Sequence, residues 1–363
     1  MKTTSPTPNT TTGLANLADA ELQAYLLEGV SRTFALTIPQ LPASLHHAVA
    51  NAYLLCRIVD TIEDEVSLSP DQKRLFCSQF IAVVKTGENA TSFSQALAPL
   101  LSTQTIPEEH ELIQLIPRVI EITRSLDPVQ IEALSTCVET MANGMPTFQA
   151  QNLSVGLKTM KDMDDYCYYV AGCVGEMLAK LFCHYSPEIA VHREELLRLS
   201  VSFGQGLQMT NILKDIWDDA KRGVCWLPQE IFDATGYDLS TLSPTTNDEH
   251  FREGLKRLIG IAHGHLQNAM TYTKLLPSHE TGIRNFCLWA LGMAVLTLKK
   301  IQSNPAFTDS TQVKISRNSV KATIITSRLA ARSNWLLSLI FNFVSRGLPT
   351  GNFPHTSVFH TGP

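Results

Sequence analysis

Apolar residues along this chain recur at three- and four-residue intervals almost throughout, with polar residues on the intervening positions. That spacing follows the ~3.6-residue period of an α-helix. It predicts helices over 18–29, 32–38, 43–64, 70–86, 107–125, 128–149, 155–183, 188–219, 249–278, 283–302 and 314–344. Start signals support three of them: Ser69-Pro70, Asp127-Pro128 and Ser186-Pro187 each set a capping side chain before a proline at the first helical position. Strand signals are sparse, and no tight turn lies between alternating apolar runs. The pattern therefore predicts an all-α chain. No Pro/Gly/Ser-rich linker divides it, and the longest polar connection, Asp233 to Asp248, reads as a loop. One helical domain is expected over 17–345, between a disordered N-terminal tail over 1–16 and a flexible C-terminal tail over 346–363.

Composition narrows the function classes. A 44% hydrophobic content fits a folded chain of 363 residues with a sizeable core. The net charge is −5 and no basic tract is interleaved with aromatics, which argues against nucleic acid as a partner. Eight cysteines are scattered, mostly within apolar segments, with no Cys-x-x-Cys and no zinc spacing. They read as reduced core residues of a cytoplasmic protein. With no Gly-x-Gly-x-x-Gly, any nucleotide cofactor must bind without a Rossmann fingerprint. The Thr/Pro-rich N-terminus lacks the apolar core of a signal peptide. The run Trp335 to Val344 is strongly apolar but falls short of the ~20 residues of a membrane span. It reads as the end of a packed helix, with shallow membrane contact or a partner groove as the alternatives.

Two acid clusters carry the candidate chemistry. Asp60, Glu63 and Asp64 follow one apolar stretch, and Asp215, Asp218 and Asp219 follow another. Helix positions i and i+4 share a face, so Asp60 pairs with Asp64 and Asp215 with Asp219. Both clusters fall near expected helix ends, where a carboxylate meets the negative end of the helix dipole at a cost of roughly 0.3–1 kcal/mol. Bound cations would offset that cost. Two facing pairs would make a hard-oxygen site suited to Mg²⁺, which binds through a few carboxylates plus water and phosphate oxygens. A solvated acidic helix end is the plain alternative for either cluster alone. A third segment, Tyr166 to Gly175, combines aromatic rings with Gly172 and Gly175. Each glycine costs about 0.8–1 kcal/mol inside a helix, which points to close approach of another helix or of a ligand.

Taken together, these motifs resemble the squalene and phytoene synthase family of head-to-head trans-prenyl transferases, from about Ser31 to Lys321. Ser31-Arg32-Thr33-Phe34 resembles the family's Ser-Arg-x-Phe motif, and Tyr53 with Arg57 leads into the first acid pair. Tyr166-Cys167-Tyr168-Tyr169-Val170-Ala171-Gly172 resembles the central Tyr-Cys-x-x-Val-Ala-Gly, and Asn211 to Asp219 the second metal motif. Trp226-Leu227-Pro228-Gln229-Glu230, Phe286-Cys287 and Val313-Lys314-Ile315-Ser316-Arg317 are similar to stretches of the one-step squalene synthases. Two positions depart from the pattern: Lys214 stands where many relatives have arginine, replacing a bidentate fork by a point charge, and Val224 also stands where arginine is frequent. The second departure passes that phosphate contact to Lys221 or Arg222.

The resemblance implies an isoprenoid synthase-type helical bundle around a central apolar cavity. It implies two molecules of farnesyl diphosphate as substrate, Mg²⁺ (or Mn²⁺) and NADPH as cofactors, and squalene, the precursor of sterols or hopanoids, as product. Asp60, Asp64, Asp215 and Asp219 would hold the metal, with Glu63 and Asp218 in support. Arg57, Lys214 and Tyr166 would take part in the chemistry. Ser31, Arg32, Phe34, Tyr53, Asn211, Lys221, Arg222 and Phe286 would bind substrate, and Lys314 and Arg317 would serve NADPH. A monomer is expected, cytoplasmic or peripheral at the inner membrane face. The alternatives are phytoene or presqualene diphosphate as end product, and, more remotely, a non-catalytic helical scaffold.

Overall fold

The computed structural model describes residues 11–14, 17–31, 33–149, 152–244 and 248–350. Among these residues there is no β-strand, and the one isolated bridge joins Leu157 to Pro228. The chain divides into two compact units, Met1–Pro146 and Thr147–Pro363. No linker composition marks that division in the sequence.

The first unit carries helices α1 (Asp19–Val30), α2 (Ala43–Asp64), α3 (Pro70–Thr86), α4 (Ala90–Leu97), α5 (Pro107–Gln114), α6 (Ile116–Ser125) and α7 (Pro128–Gln149). Helices α2 and α3 run over the expected residues. α3 shows why: Ser69 and Gln72 form a reciprocal capping box, Pro70 opens the first turn, and Gly87 closes the helix at φ 79°. The expected helix 107–125 is instead two. Pro117 has no N–H to give and its ring clashes with the carbonyl four residues back, so the chain breaks at Leu115. Helix α4 was not foreseen, being short and weakly patterned. A buried polar knot locks α2 to its neighbours: Asn51 donates to the Val119 carbonyl (3.2 Å) and to Thr123 Oγ1 (2.7 Å), and accepts from Gln23 (3.4 Å).

The second unit is built around α10 (Arg193–Lys221), with α8 (Met160–Cys167), α9 (Cys173–Tyr185), α11 (Glu249–Leu275), α12 (Thr281–Ser303), α13 (Arg317–Ala330) and α14 (Asn334–Val344). The backbones of α9 and α10 touch. A Cβ on Gly175 would sit 2.2 Å from the Ser200 carbonyl oxygen, and one on Gly204 would sit 2.1 Å from that of Ala171. The helix-weakening Gly175 is thus accounted for by helix packing. The expected helix 155–183 begins only at Met160, where Thr159 and Asp162 form a capping box, and it contains a π-turn at Tyr168–Gly172. The run 188–219 starts as a short turn, Pro187–Ala190, before α10. The run 314–344 splits because Ser333 caps a fresh helix, accepting from the Leu336 N–H. All eight cysteines are buried thiols. Residues 345–350 fold back: Leu348 is buried, and the Pro349 carbonyl lies 2.9 Å from His263 Nδ1.

Just beyond α2, Glu65 is buried and accepts from the Ser67 N–H (2.7 Å), the Ser102 N–H (2.8 Å) and the Thr105 hydroxyl (2.7 Å). Burial raises its pKa, but these hydrogen bonds together win and hold the carboxyl at about 2, against an ordinary 4.5. Its stabilising contribution is therefore fully present above about pH 4.5 and is lost as the pH falls toward 2. Glu65→Gln is expected to cost about 1–3 kcal/mol at pH 7 by urea denaturation, shrinking as the pH drops through that window. A deficit that does not change with pH would contradict this assignment.

Candidate active site

The last three turns of α2 present Tyr53, Arg57, Asp60 and Asp64 at intervals of four, three and four, one stripe of a single helix face. At its upper end the Tyr53 ring packs on Phe34, with centroids 5.1 Å apart, and its hydroxyl donates to the Val30 carbonyl at 3.3 Å. Ser31 Oγ accepts from the Phe34 N–H at 3.0 Å, starting the short helical turn Phe34–Thr37. Three of the residues expected here, Ser31, Phe34 and Tyr53, are thus joined to one another. Arg32 lies outside the described residues.

Arg57 sits between two acids, 3.7 Å from Asp60 and 3.0 Å from Glu109. Burial pushes the Asp60 carboxyl up to about 7; Arg57 opposes the rise, while Asp64 and Glu109 add to it. Asp60 is thus short of positive charge, the condition that an added cation relieves. Glu109 was missed by the sequence reading because, in the first turn of α5, it looks like an ordinary dipole-stabilising acid. Lys73 was missed as well. Its ammonium reaches across from α3 to donate to the Glu63 carbonyl at the exposed end of α2. Glu63 itself is buried.

In the second unit, the last turns of α10 carry the other cluster. Lys214 lies 3.1 Å from Asp215, Lys221 3.2 Å from Asp218, and Arg222 2.5 Å from Asp219. Each acid therefore has a base on or just beyond its own helix. Burial raises the Asp215 pKa, with Lys214 pulling it back. Lys221 also lies 3.5 Å from Asp309, which precedes the segment carrying Lys314. Gly223, at φ 75°, ends the helix, while Asn211 is exposed about three turns back. Lys314 and Arg317 are exposed at the approach to α13. Phe286 is buried edge-on against Phe182, with centroids 6.2 Å apart. Among the described residues, no three His, Cys, Asp or Glu side chains converge as a ready-made metal site. The donors of each cluster are nonetheless all oxygen, as Mg²⁺ prefers, and a metal held there would take its remaining ligands from water and phosphate.

Tyr166 is buried, its ring stacked flat on Trp226 at 3.7 Å and met edge-on by Phe148 at 5.5 Å. The Trp-Leu-Pro-Gln-Glu stretch explains this placement. The Leu157 N–H donates to the Leu227 carbonyl (2.9 Å), the Gln229 N–H to that of Leu157 (2.7 Å), and Glu230 accepts from the Met160 N–H at the start of α8 (2.9 Å). The segment is pinned against the run that leads into Tyr166. A double-mutant cycle of Tyr166→Leu and Trp226→Leu, read by urea denaturation, is expected to give a coupling of about 0.5–1.5 kcal/mol. Additive effects would show that the stack is incidental.

The sequence model of the squalene/phytoene synthase family matches residues 27–319. The squalene synthase of Eremothecium gossypii is 31% identical over 309 residues, covering 84% of this chain and 66% of that protein. That of Saccharomyces cerevisiae is 30% identical, covering 81% of this chain and 65% of that protein. One from Botryococcus braunii is 30% identical, covering 77% and 57%. The chain thus spans less than two thirds of the length of these relatives. Among solved structures, TcSQS in complex with a ligand has a TM-score of 0.71 at 24% identity, covering 90% of this chain and 98% of that one. A dehydrosqualene synthase has a TM-score of 0.63 at 18% identity, covering 87% and 97%. At these identities the structural likeness bears on the fold. From the matched sequence span and the motifs within it, the chain belongs to the squalene/phytoene synthase family.

Proposed function

We propose that this chain is a squalene synthase. It joins two molecules of farnesyl diphosphate head to head to give presqualene diphosphate, then reduces that intermediate to squalene with NADPH. The observation that carries the reading is that each acid pair keeps a base in ion-pair contact, Arg57 with Asp60 and Lys214 with Asp215. Ionising an allylic diphosphate needs both partners: carboxylates to take up a divalent metal, and fixed cations to hold the departing anion. Mg²⁺ or Mn²⁺ on Asp60, Asp64, Asp215 and Asp219, when bound, neutralises the diphosphate and makes it a better leaving group.

The remaining roles belong to the chain's own side chains. Glu63 and Asp218 support the ligating aspartates. Arg32, Arg57 and Lys214 hold diphosphate oxygens, and Lys221 and Arg222, which pair with Asp218 and Asp219, would turn to that anion if a metal occupied the carboxylates. Asn211 orients a ligating water. Ser31, Phe34, Tyr53 and Phe286 receive the prenyl chain and keep water from the cation. Closing the cyclopropane of presqualene diphosphate releases a proton, and Tyr166 handles it. A free phenol has a pKa near ~10, so the departed diphosphate assists as base. Lys314 and Arg317, exposed and cationic, contact the NADPH phosphates. The protein works as a monomer on the cytoplasmic side, touching the inner membrane face that takes up its product.

The test is product analysis with farnesyl diphosphate and Mg²⁺, with and without NADPH. Squalene is expected only with NADPH, and presqualene diphosphate in its absence. Asp60→Asn and Asp219→Asn are each expected to lower turnover by about 10²-fold or more. Phytoene from geranylgeranyl diphosphate, with no reaction of farnesyl diphosphate, would reject the assignment, and inactivity with both would leave a scaffold.

A further inference from the structure

Arg57 is the only base on the stripe Tyr53, Arg57, Asp60 and Asp64, and its guanidinium is held unevenly. Asp60, one turn further along the same helix, lies 3.7 Å from Nη1, whereas Glu109 of α5 lies 3.0 Å from Nη2. The firmer anchor is therefore the acid from the other helix. It is also the more buried one, with its side chain 15% exposed against 28% for Asp60. A carboxylate at that place is unfavourable in itself. Burial raises its pKa, and Asp64 and Glu108 add to the rise, with Arg57 and His110 opposing it. Filling the space would need only an apolar side chain, so the acid is there for what it holds.

Glu109 is fixed from outside the stripe. Glu65, the first residue beyond α2, accepts from the Ser102 N–H and the Thr105 hydroxyl, which ties the loop before α5 to the end of α2. His110 Nε2 lies 3.0 Å from the Ser102 carbonyl, which ties the first turn of α5 to that same loop. Glu109, in that first turn, thus reaches Arg57 from a frame that includes neither Asp60 nor Asp64.

We infer that Glu109 is a positioning residue, which keeps the Arg57 guanidinium aimed at the substrate diphosphate when Asp60 is given over to a metal; this rests on the proposed function. Arg57 is long and flexible, and ordering it costs side-chain entropy. With Asp60 engaged elsewhere, the loose contact at 3.7 Å is lost and the Glu109 contact alone remains. Nη2 then stays anchored on α5 while Nη1 turns from Asp60 to a diphosphate oxygen, a charge-assisted hydrogen bond made by a donor already in place. Without Glu109, the same step would free the whole side chain, and the anion would have to order it again.

The test is a double-mutant cycle on the full chain, read by isothermal titration calorimetry with inorganic pyrophosphate in the presence of Mg²⁺, with turnover of farnesyl diphosphate and NADPH followed alongside. Glu109→Ala is expected to weaken pyrophosphate binding about tenfold, and Glu109→Gln, which keeps an oxygen acceptor for Nη2, about threefold. In an Arg57→Ala background, either change is expected to alter binding by less than about twofold, because the group it positions is gone. Circular dichroism establishes that each variant is folded, and the glutamine variant, of the same shape, supplies the comparison where the alanine variant does not fold. Equal losses in both backgrounds would make Glu109 a general stabiliser and overturn the inference. So would unaltered affinity in folded Glu109→Ala, or no binding of pyrophosphate by the unaltered protein. Squalene from the unaltered protein together with unchanged binding in Glu109→Ala rejects this inference alone, whereas the expected cycle without squalene rejects the proposed reaction alone.

Discussion

Carboxylates gathered at the C-terminal end of a helix oppose one another and the carbonyl end of the helix dipole, and this chain builds that arrangement twice. Both instances hold because bases are placed against them. At the end of α2, Arg57 lies between Asp60 and Glu109, while Lys73 caps the Glu63 carbonyl. At the end of α10, Lys214, Lys221 and Arg222 each take one aspartate. The two solutions differ in kind. α10 draws its bases from its own sequence neighbourhood, whereas α2 borrows a lysine from α3 and sets a further acid from α5 against Arg57. Burial, with Asp64 and that further acid adding to it, pushes the Asp60 carboxyl up to about 7.

The packing behind each cluster follows from the need to hold these ends still. Helix α10 lies close enough to α9 and the π-turn that Gly175 and Gly204 meet backbone rather than side chains. Helix α2 is locked by the buried Asn51 knot, two residues before the stripe begins at Tyr53. A π-turn directly after Tyr166 departs from regular helix, a feature frequent at functional sites. The pinned 225–230 segment then gives Tyr166 a flat aromatic wall, so that ring is fixed from two sides.

Helix content was legible because the apolar period is strong and capping residues stand at the starts: α2, α3 and α7 have the expected bounds. Breaks were harder to read. Pro117 and Ser333 each interrupt a run whose hydrophobic period continues across them, so the local stop competes with the pattern and wins. Within the site, the acids, Arg57, Lys214 and Tyr166 were legible from spacing and from the family resemblance. Glu109 and Lys73 were not, since their roles depend on helices brought together from 52 residues away in one case and across a turn in the other. The contact of Trp226 with Tyr166 likewise exists only through the hydrogen bonds that bring the two segments together.

If the two acid pairs take up divalent metal together with diphosphate, that joint binding must stabilise the folded protein. The direct measurement is the melting temperature of the protein titrated with Mg²⁺, inorganic pyrophosphate, and both. A rise of a few degrees is expected with both together, little with either alone, and loss of the rise in Asp60→Asn and in Asp215→Asn, each compared with its own ligand-free value. An undiminished rise in both variants, or no rise in the unaltered protein, would contradict it.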